Sequence, residues 1–377
     1  MPKIVLSGLD VGSSKTVALI AGYSSGAMQV LGLGEAPPSG MDKGIPSGSD
    51  ALITSILTAF KDAEKAAGVK KPLVYAGCDS VNSVLRPCRA VPGNFFIDIP
   101  DSERVLCLLP PKHAIASLQD GNVMEARAVT ASAGEIVLFL SCLKKAGLNP
   151  AELVYTPLAG AAALISAAEK EVGTVLIDIG ASKTSASYFS RGFFKDTAVL
   201  PICGEHFIGD LAVGLRTTMG EARRVAAEYS QVTGAEGRER NFVVGSLDGK
   251  EKKGVTISYI RNIIEARIQE FAEIIADLFE DFGCSDFLPG GVVLAGGGAQ
   301  LPGLAGWMER RLHVSVRVGR VDVAGAALSP LHYNAFGLAK YGLSGLAAAG
   351  KKSSNIFNSD FWTSLVSEKA ARFLRID

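Results

Sequence analysis

Hydrophobic and polar positions follow two rhythms along this chain. Residues 3–9 and 15–22 are apolar runs parted by a polar tip, which predicts two strands and a tight turn, with a third strand at 28–33. A loop rich in glycine and proline occupies 40–48. From Ser49 the period changes: Leu52, Ile53, Ile56, Leu57, Phe60, Ala63 and Ala67 fall on one helical face, and Gly68 stops it. Strands are expected at 72–77, 84–91, 95–99 and 126–131, a short helix at 102–109, and a helix at 134–146. The alanine-rich stretch 157–168 reads as one helix. A hairpin at 173–189 and a strand at 192–199 precede a loop at 203–206, helices at 207–215 and 218–229, and a strand at 241–244. Ile260, Ile263, Ile264, Ile268, Phe271, Ile274, Ile275 and Leu278 give the helix 257–282 a broad apolar face. A strand then runs into Gly296-Gly297-Gly298 and a helix, followed by a strand at 314–318 and a helix at 334–341.

Within this pattern one stretch occurs twice. Asp10-Val-Gly12-Ser13-Ser14-Lys15-Thr16 ends the first strand, and Asp178-Ile-Gly180-Ala-Ser182-Lys183-Thr184 ends the strand near 178. An acid at a strand end, a glycine turn and small hydroxylated residues suit backbone N–H groups closing around a phosphate, with a carboxylate near a metal-bound water. Two such hairpins suggest two like lobes facing one nucleotide. The three glycines at 296–298 allow close backbone approach to a flat or anionic group, and the helix start adds a positive dipole.

Composition narrows the function. The 377 residues are 48% hydrophobic and 20% charged, enough for two or more cored domains and too apolar for disorder. Lysine plus arginine balance aspartate plus glutamate at 38 each, so no net charge draws the protein to nucleic acid. Cys78, Cys88, Cys107, Cys142, Cys203 and Cys284 form no C-x-x-C pair, and His113, His206, His313 and His332 have no ligand spacing, which argues against metalloenzyme and thiol-enzyme readings. No apolar run spans a bilayer and no signal-peptide order opens the chain, so a cytosolic protein is expected. The end differs from the rest. A small, polar linker at 345–358 precedes 359–377, where Phe361, Trp362, Leu365, Val366, Phe373 and Leu374 share one helical arc suited to a membrane headgroup zone.

Taken together, these motifs resemble the actin, Hsp70 and sugar-kinase ATPase superfamily. Within it the chain looks most like the FtsA family, the bacterial actin homologues of cell division. The residues that carry this are Gly8 to Lys15, Thr197 to His206, Leu215 to Ala222, Leu294 to Leu304, Val316 to Gly319 and the amphipathic end. The resemblance implies an α/β, actin-like two-lobed fold with duplicated ribonuclease-H-like domains, a small α/β insert and a C-terminal amphipathic helix. The first lobe would span 1–79, completed by 149–172 and 331–344, with the insert at 80–148. The second lobe would use 173–206 and 286–330, around a helical partner-binding subdomain at 207–285. The resemblance also implies ATP and Mg2+ as ligands. Asp10 and Asp178 would face the metal through water, and Gly12, Ser13, Ser14, Lys15, Gly180, Ser182 and Thr184 the phosphates. Gly204, Glu221, Gly296, Gly297, Gly298 and Ala299 would hold ribose and adenine. The partners implied are FtsZ and other division proteins, further copies of the chain in a filament, and membrane lipid. The place implied is the cytoplasmic face of the membrane at the division site.

Departures from the family pattern bear on catalysis. Ala181, Lys183 and Ser185 replace a glycine, a threonine and an acid of the second hairpin; Thr156 stands where a glutamate is usual; Arg223 and Ala226 replace a glutamate and a lysine. An acid near the γ-phosphate orients the attacking water in such sites. With Thr156 and Ser185 there, at most weak ATPase activity is expected. Two alternatives remain: a PilM-like pilus-assembly protein of the same fold, which Ala181 favours, and a sugar kinase, for which no sugar-binding set of polar residues is evident.

Overall fold

The first hairpin forms as its alternation predicts, in a computed structural model that describes residues 2, 4–38, 40–90, 99–109, 124–232, 241–323 and 328–349. β1 (Ile4–Val11) pairs antiparallel with β2 (Thr16–Ser24), Asp10 opposite Val17, and the Gly12 N–H donates to the Lys15 carbonyl at 2.9 Å to close the turn. β3 (Ala27–Ala36) extends the sheet. A small ladder, β4 (Met41–Asp42) and β5 (Ile45–Pro46), leads to α1 (Asp50–Ala67). Ser49 caps that helix by accepting the Leu52 N–H at 3.3 Å, and Gly68 ends it in the left-handed region. β6 (Leu73–Cys78) then joins β1 in parallel.

The insert is a three-stranded antiparallel sheet, β7 (Val84–Ala90), β8 (Glu103–Leu109) and β9 (Met124–Ser132) in the order β7-β9-β8, followed by α2 (Ala133–Lys145). The short helix expected at 102–109 is therefore the strand β8. A four-residue apolar run, Leu106 to Leu109, buries on both faces, which neither rhythm distinguishes; β8 pairs with β9, and the Glu103 carboxylate reaches past it to the Arg86 guanidinium of β7. The strand expected at 95–99 lies largely outside the described residues, and the tail from 359 lies wholly outside them.

β10 (Glu152–Tyr155) completes the first sheet in the order β10-β6-β1-β2-β3. The single helix expected at 157–168 is two, α3 (Thr156–Leu164) and α4 (Ala167–Val172). Ile165 is extended, and Ser166 starts α4 with a reciprocal capping box to Glu169, a signal of the chain that outweighs the run of alanines.

The second lobe repeats the plan. β11 (Thr174–Ile179) and β12 (Thr184–Ser190) form a hairpin in the same register as the first, Asp178 opposite Ser185, closed by the Gly180 N–H donating to the Lys183 carbonyl at 3.0 Å. β13 (Phe193–Leu200) leads to α5 (Gly204–Gly214), which takes in part of the loop expected at 203–206, and to α6 (Met219–Val232). β14 (Asn241–Gly245), β15 (Lys252–Thr256) and α7 (Ile257–Phe282) build a side subdomain. β16 (Val292–Ala295), α8 (Leu304–Leu312) and β17 (Val316–Val318) close the sheet in the order β13-β12-β11-β16-β17, matching the first position for position. α9 (Tyr333–Ala349) returns to the first lobe and crosses α3. A Cβ on Gly337 would collide with the Ala159 carbonyl, so glycine is what lets these two backbones touch.

Candidate functional site

Both hairpin tips point into one cleft of about 500 Å³ between the lobes. From the first lobe it is lined by Asp10, Gly12, Ser13, Ser14 and Lys15, and from the second by Asp178, Gly180, Ser182 and Lys183. Gly204 and Gly296 to Gly298 form its far side. Gly296 sits at φ 82°, where a Cβ would strike the Asp178 carboxylate and the Ile179 carbonyl. The tips meet across the cleft: the Ser13 and Ser182 hydroxyls lie 2.6 Å apart, and the Lys43 N–H donates to Ser182 Oγ at 2.9 Å. The second tip also rests on the start of α5, whose Gly204 and Glu205 N–H groups donate to the Gly180 and Ala181 carbonyls at 2.8 and 3.0 Å.

Three acids crowd this end of the cleft. Burial, then the neighbouring Asp178 and Asp79, push the Asp10 carboxyl up to about 7, against the pull of Lys183 and Lys15. Burial likewise raises Asp178, with Asp79 adding to it and Tyr333, Lys183 and Asn334 opposing. Asp79 itself is ion-paired with the Lys183 ammonium, which crosses from the second lobe. Lys15 stands 3.6 Å from Glu35, and burial pulls its ammonium below the usual range. His332 Nε2 lies 2.5 Å from the Glu35 carboxylate; burial and Lys15 lower that ring's pKa, against the pull of Glu35.

Three of the expected residues stand outside the lining. Thr184 is fully buried within β12, and Ala299 is buried in the second-lobe core. Glu221 turns to the other side of α6, where it binds Arg224 at 2.8 Å and accepts the Gly245 N–H at 2.9 Å; Arg224 and that N–H hold its carboxyl down to about 2. The cleft face of α6 is instead Arg223, Ala226, Ala227 and Ser230, a spacing of three and four that was visible in the chain. Arg223 pairs with Glu205 at 2.5 Å. Sequence reasoning also passed over Asp79, Tyr333 and Asn334. Asp79 had a signal, since it follows an apolar strand as Asp10 and Asp178 end theirs. Tyr333 and Asn334 had none, because only the return of α9 brings them beside Asp178.

Two like sheets, each ending a hairpin in Asp-x-Gly at a shared cleft, make this an actin-like α/β fold. Solved structures agree. The PilM-PilN type IV pilus biogenesis complex superposes with a TM-score of 0.67 at 20% identity, covering 91% of this chain and 99% of that one. MreB5 of Spiroplasma citri bound to ADP gives 0.61 at 12%, covering 93% and 99%. The family model for cell division protein FtsA matches residues 175–337. The cell division protein FtsA of Bacillus subtilis is 27% identical across 91% of this chain and 84% of its own. Along most of its length, then, the chain is similar to FtsA.

Proposed function

We propose that this chain is a cell-division protein of the FtsA type. In this reading it is an actin-fold adaptor that holds ATP and polymerises with its own copies. Its C-terminal segment tethers FtsZ filaments and other division proteins to the inner face of the cytoplasmic membrane. The observation that carries the reading is the pair of matched hairpins on one cleft, in a chain related to FtsA across 91% of its length.

The residues fit a nucleotide. The cleft volume lies in the usual range for small-molecule sites, and Asn334 Oδ1 lines it buried and without a partner. Asp10 to Lys15 would take the phosphates from one lobe and Gly180 and Ser182 from the other. Gly204 and Gly296 to Gly298 would face ribose and base beside Arg223 and Ala226. Thr184, Glu221 and Ala299 would support these walls from behind.

The donors do not fit the magnesium expected between Asp10 and Asp178. The ion keeps several waters and takes one or two carboxylates beside the phosphates, and an ammonium among those carboxylates competes with it. The third acid, Asp79, is taken by the Lys183 ammonium, whose charge also acts on Asp10 and Asp178. Thr156 and Ser185 line the cleft without a carboxylate, so no unengaged acid stands at these positions to orient water. The site is built to hold nucleotide more than to hydrolyse it.

Co-sedimentation with liposomes tests the adaptor. The full chain should pellet with vesicles, and a chain ending at Gly350 should stay in the supernatant, each measured with and without ATP. Equal pelleting of the two would sink the membrane role.

A further inference from the structure

Lys183 and Lys15 occupy equivalent positions of the two hairpins, each one residue before the threonine that opens the return strand. Both line the cleft, so each lobe brings one ammonium to the same end of it. Their partners differ. Lys15 is held on its own lobe by Glu35, whereas Lys183 reaches across to the carboxylate of Asp79 on the first lobe, with the Asp79 carbonyl 3.4 Å from its Nζ. Lys183 is largely buried, its side chain 16% exposed, and lies among the acids Asp10, Asp79 and Asp178. A buried cation among carboxylates, at the tip where an anion would enter, supplies the positive charge that a divalent ion otherwise brings.

We propose that Lys183 is the resident cation of this cleft, neutralising the acid cluster and holding the polyphosphate of a nucleoside triphosphate in place of a divalent metal. The inference rests on the nucleotide reading above and deepens it: the ligand is the metal-free nucleotide. On ligand entry, the ammonium keeps Asp79 within reach and donates to a phosphate oxygen through its remaining N–H groups. Lysine suits this as a compact point charge with three donors; a hydroxyl at 183 would leave Asp79 without its ammonium and only Lys15 to balance Asp10, so that a metal would be needed.

The test is equilibrium binding of a fluorescent ATP analogue to the full chain, in excess EDTA and in excess Mg2+. Wild type should bind with affinities within about threefold of each other in the two buffers, whereas Lys183→Thr should lose about tenfold or more in EDTA and regain most of it with Mg2+. Asp79→Asn removes an acid but leaves the ammonium, so it should bind more tightly in EDTA, which separates a charge effect from damage to the fold. A wild type that weakens about tenfold in EDTA overturns the proposal, as does a Lys183→Thr variant that stays indifferent to the metal. Wild type that binds in neither buffer overturns the nucleotide reading itself, and that outcome is distinct from dependence on Mg2+.

Discussion

Single residues in this protein carry charge into places where charge is costly, and Glu152 shows it away from the cleft. It lies in β10, 8% exposed, with the Tyr341 hydroxyl 3.3 Å from its carboxylate. Burial lifts its carboxyl to about 7 against the pull of that hydrogen bond. In the unfolded chain the group titrates near 4.5, so between that pH and 7 the native state binds the extra proton. Its contribution to stability is therefore greatest in acid and is lost as pH rises through about 7, by up to roughly 3 kcal/mol at full burial. Glu152→Gln should flatten this part of the pH profile and be the more stable form at pH 8. Urea unfolding at pH 5 to 8 measures it; parallel profiles for the two proteins would exclude Glu152 as the source. Asp10 follows the same rule of burial, but its neighbours Asp178 and Asp79 are part of the site, so its charge belongs to ligand binding as much as to folding.

At the scale of elements, the α3–α9 crossing sets how closely the lobes approach. Gly337 and Gly345 lie on the same helix, yet they differ in what a methyl group would meet. At 337 it strikes the Ala159 carbonyl; at 345 it meets nothing within 4 Å. Gly345→Ala should stabilise by about 0.5–1 kcal/mol through helix propensity, and Gly337→Ala should destabilise by about 1–3 kcal/mol because two backbones must part. Denaturant midpoints of the two variants should move in opposite directions; a shift of the same sign would mean the crossing is loose. The same contrast explains which elements were legible. The helix 257–282 was legible from its long amphipathic period, and in the structure Thr256 caps its start and Gly283 ends it. β8 was not, because a short apolar run buried on both faces has no period. β15 and β10 were missed because their residues are mostly polar or few, and only pairing with β14 and β6 makes them strands. At the site, the repeated hairpin exposed Asp10 and Asp178, while the partners of Lys183 and the return of Asn334 depend on distant chain that no local pattern records.

The whole molecule joins two cores by two unlike seams. The first lobe and insert share one buried cluster, the second lobe has another, and α3 and α9 pack apolar side chains between them. At the mouth of the cleft, by contrast, the two lobes meet through polar groups: Ser13 with Ser182, Lys43 with Ser182, and Lys183 with Asp79. Apolar packing resists separation, whereas hydroxyls and ammoniums exchange readily with water or phosphate. Opening should therefore pivot on the helices and part the tips, and a nucleotide should replace the Ser13–Ser182 bond with its own oxygens. A double variant, Ser13→Cys with Ser182→Cys, makes this measurable, because the hydroxyl oxygens already stand 2.6 Å apart. Background oxidation should be low: among the native thiols five are buried and Cys78 is half-buried, with its thiol pushed up to about 12 by burial. Mild oxidation without nucleotide should close a cross-link spanning 169 residues, seen as a faster band on a non-reducing gel. Saturating ATP should slow that closure about tenfold or more if phosphate separates the tips at near-complete occupancy. A closure rate indifferent to ATP would place the ligand elsewhere and leave the paired hairpins as a structural clasp alone.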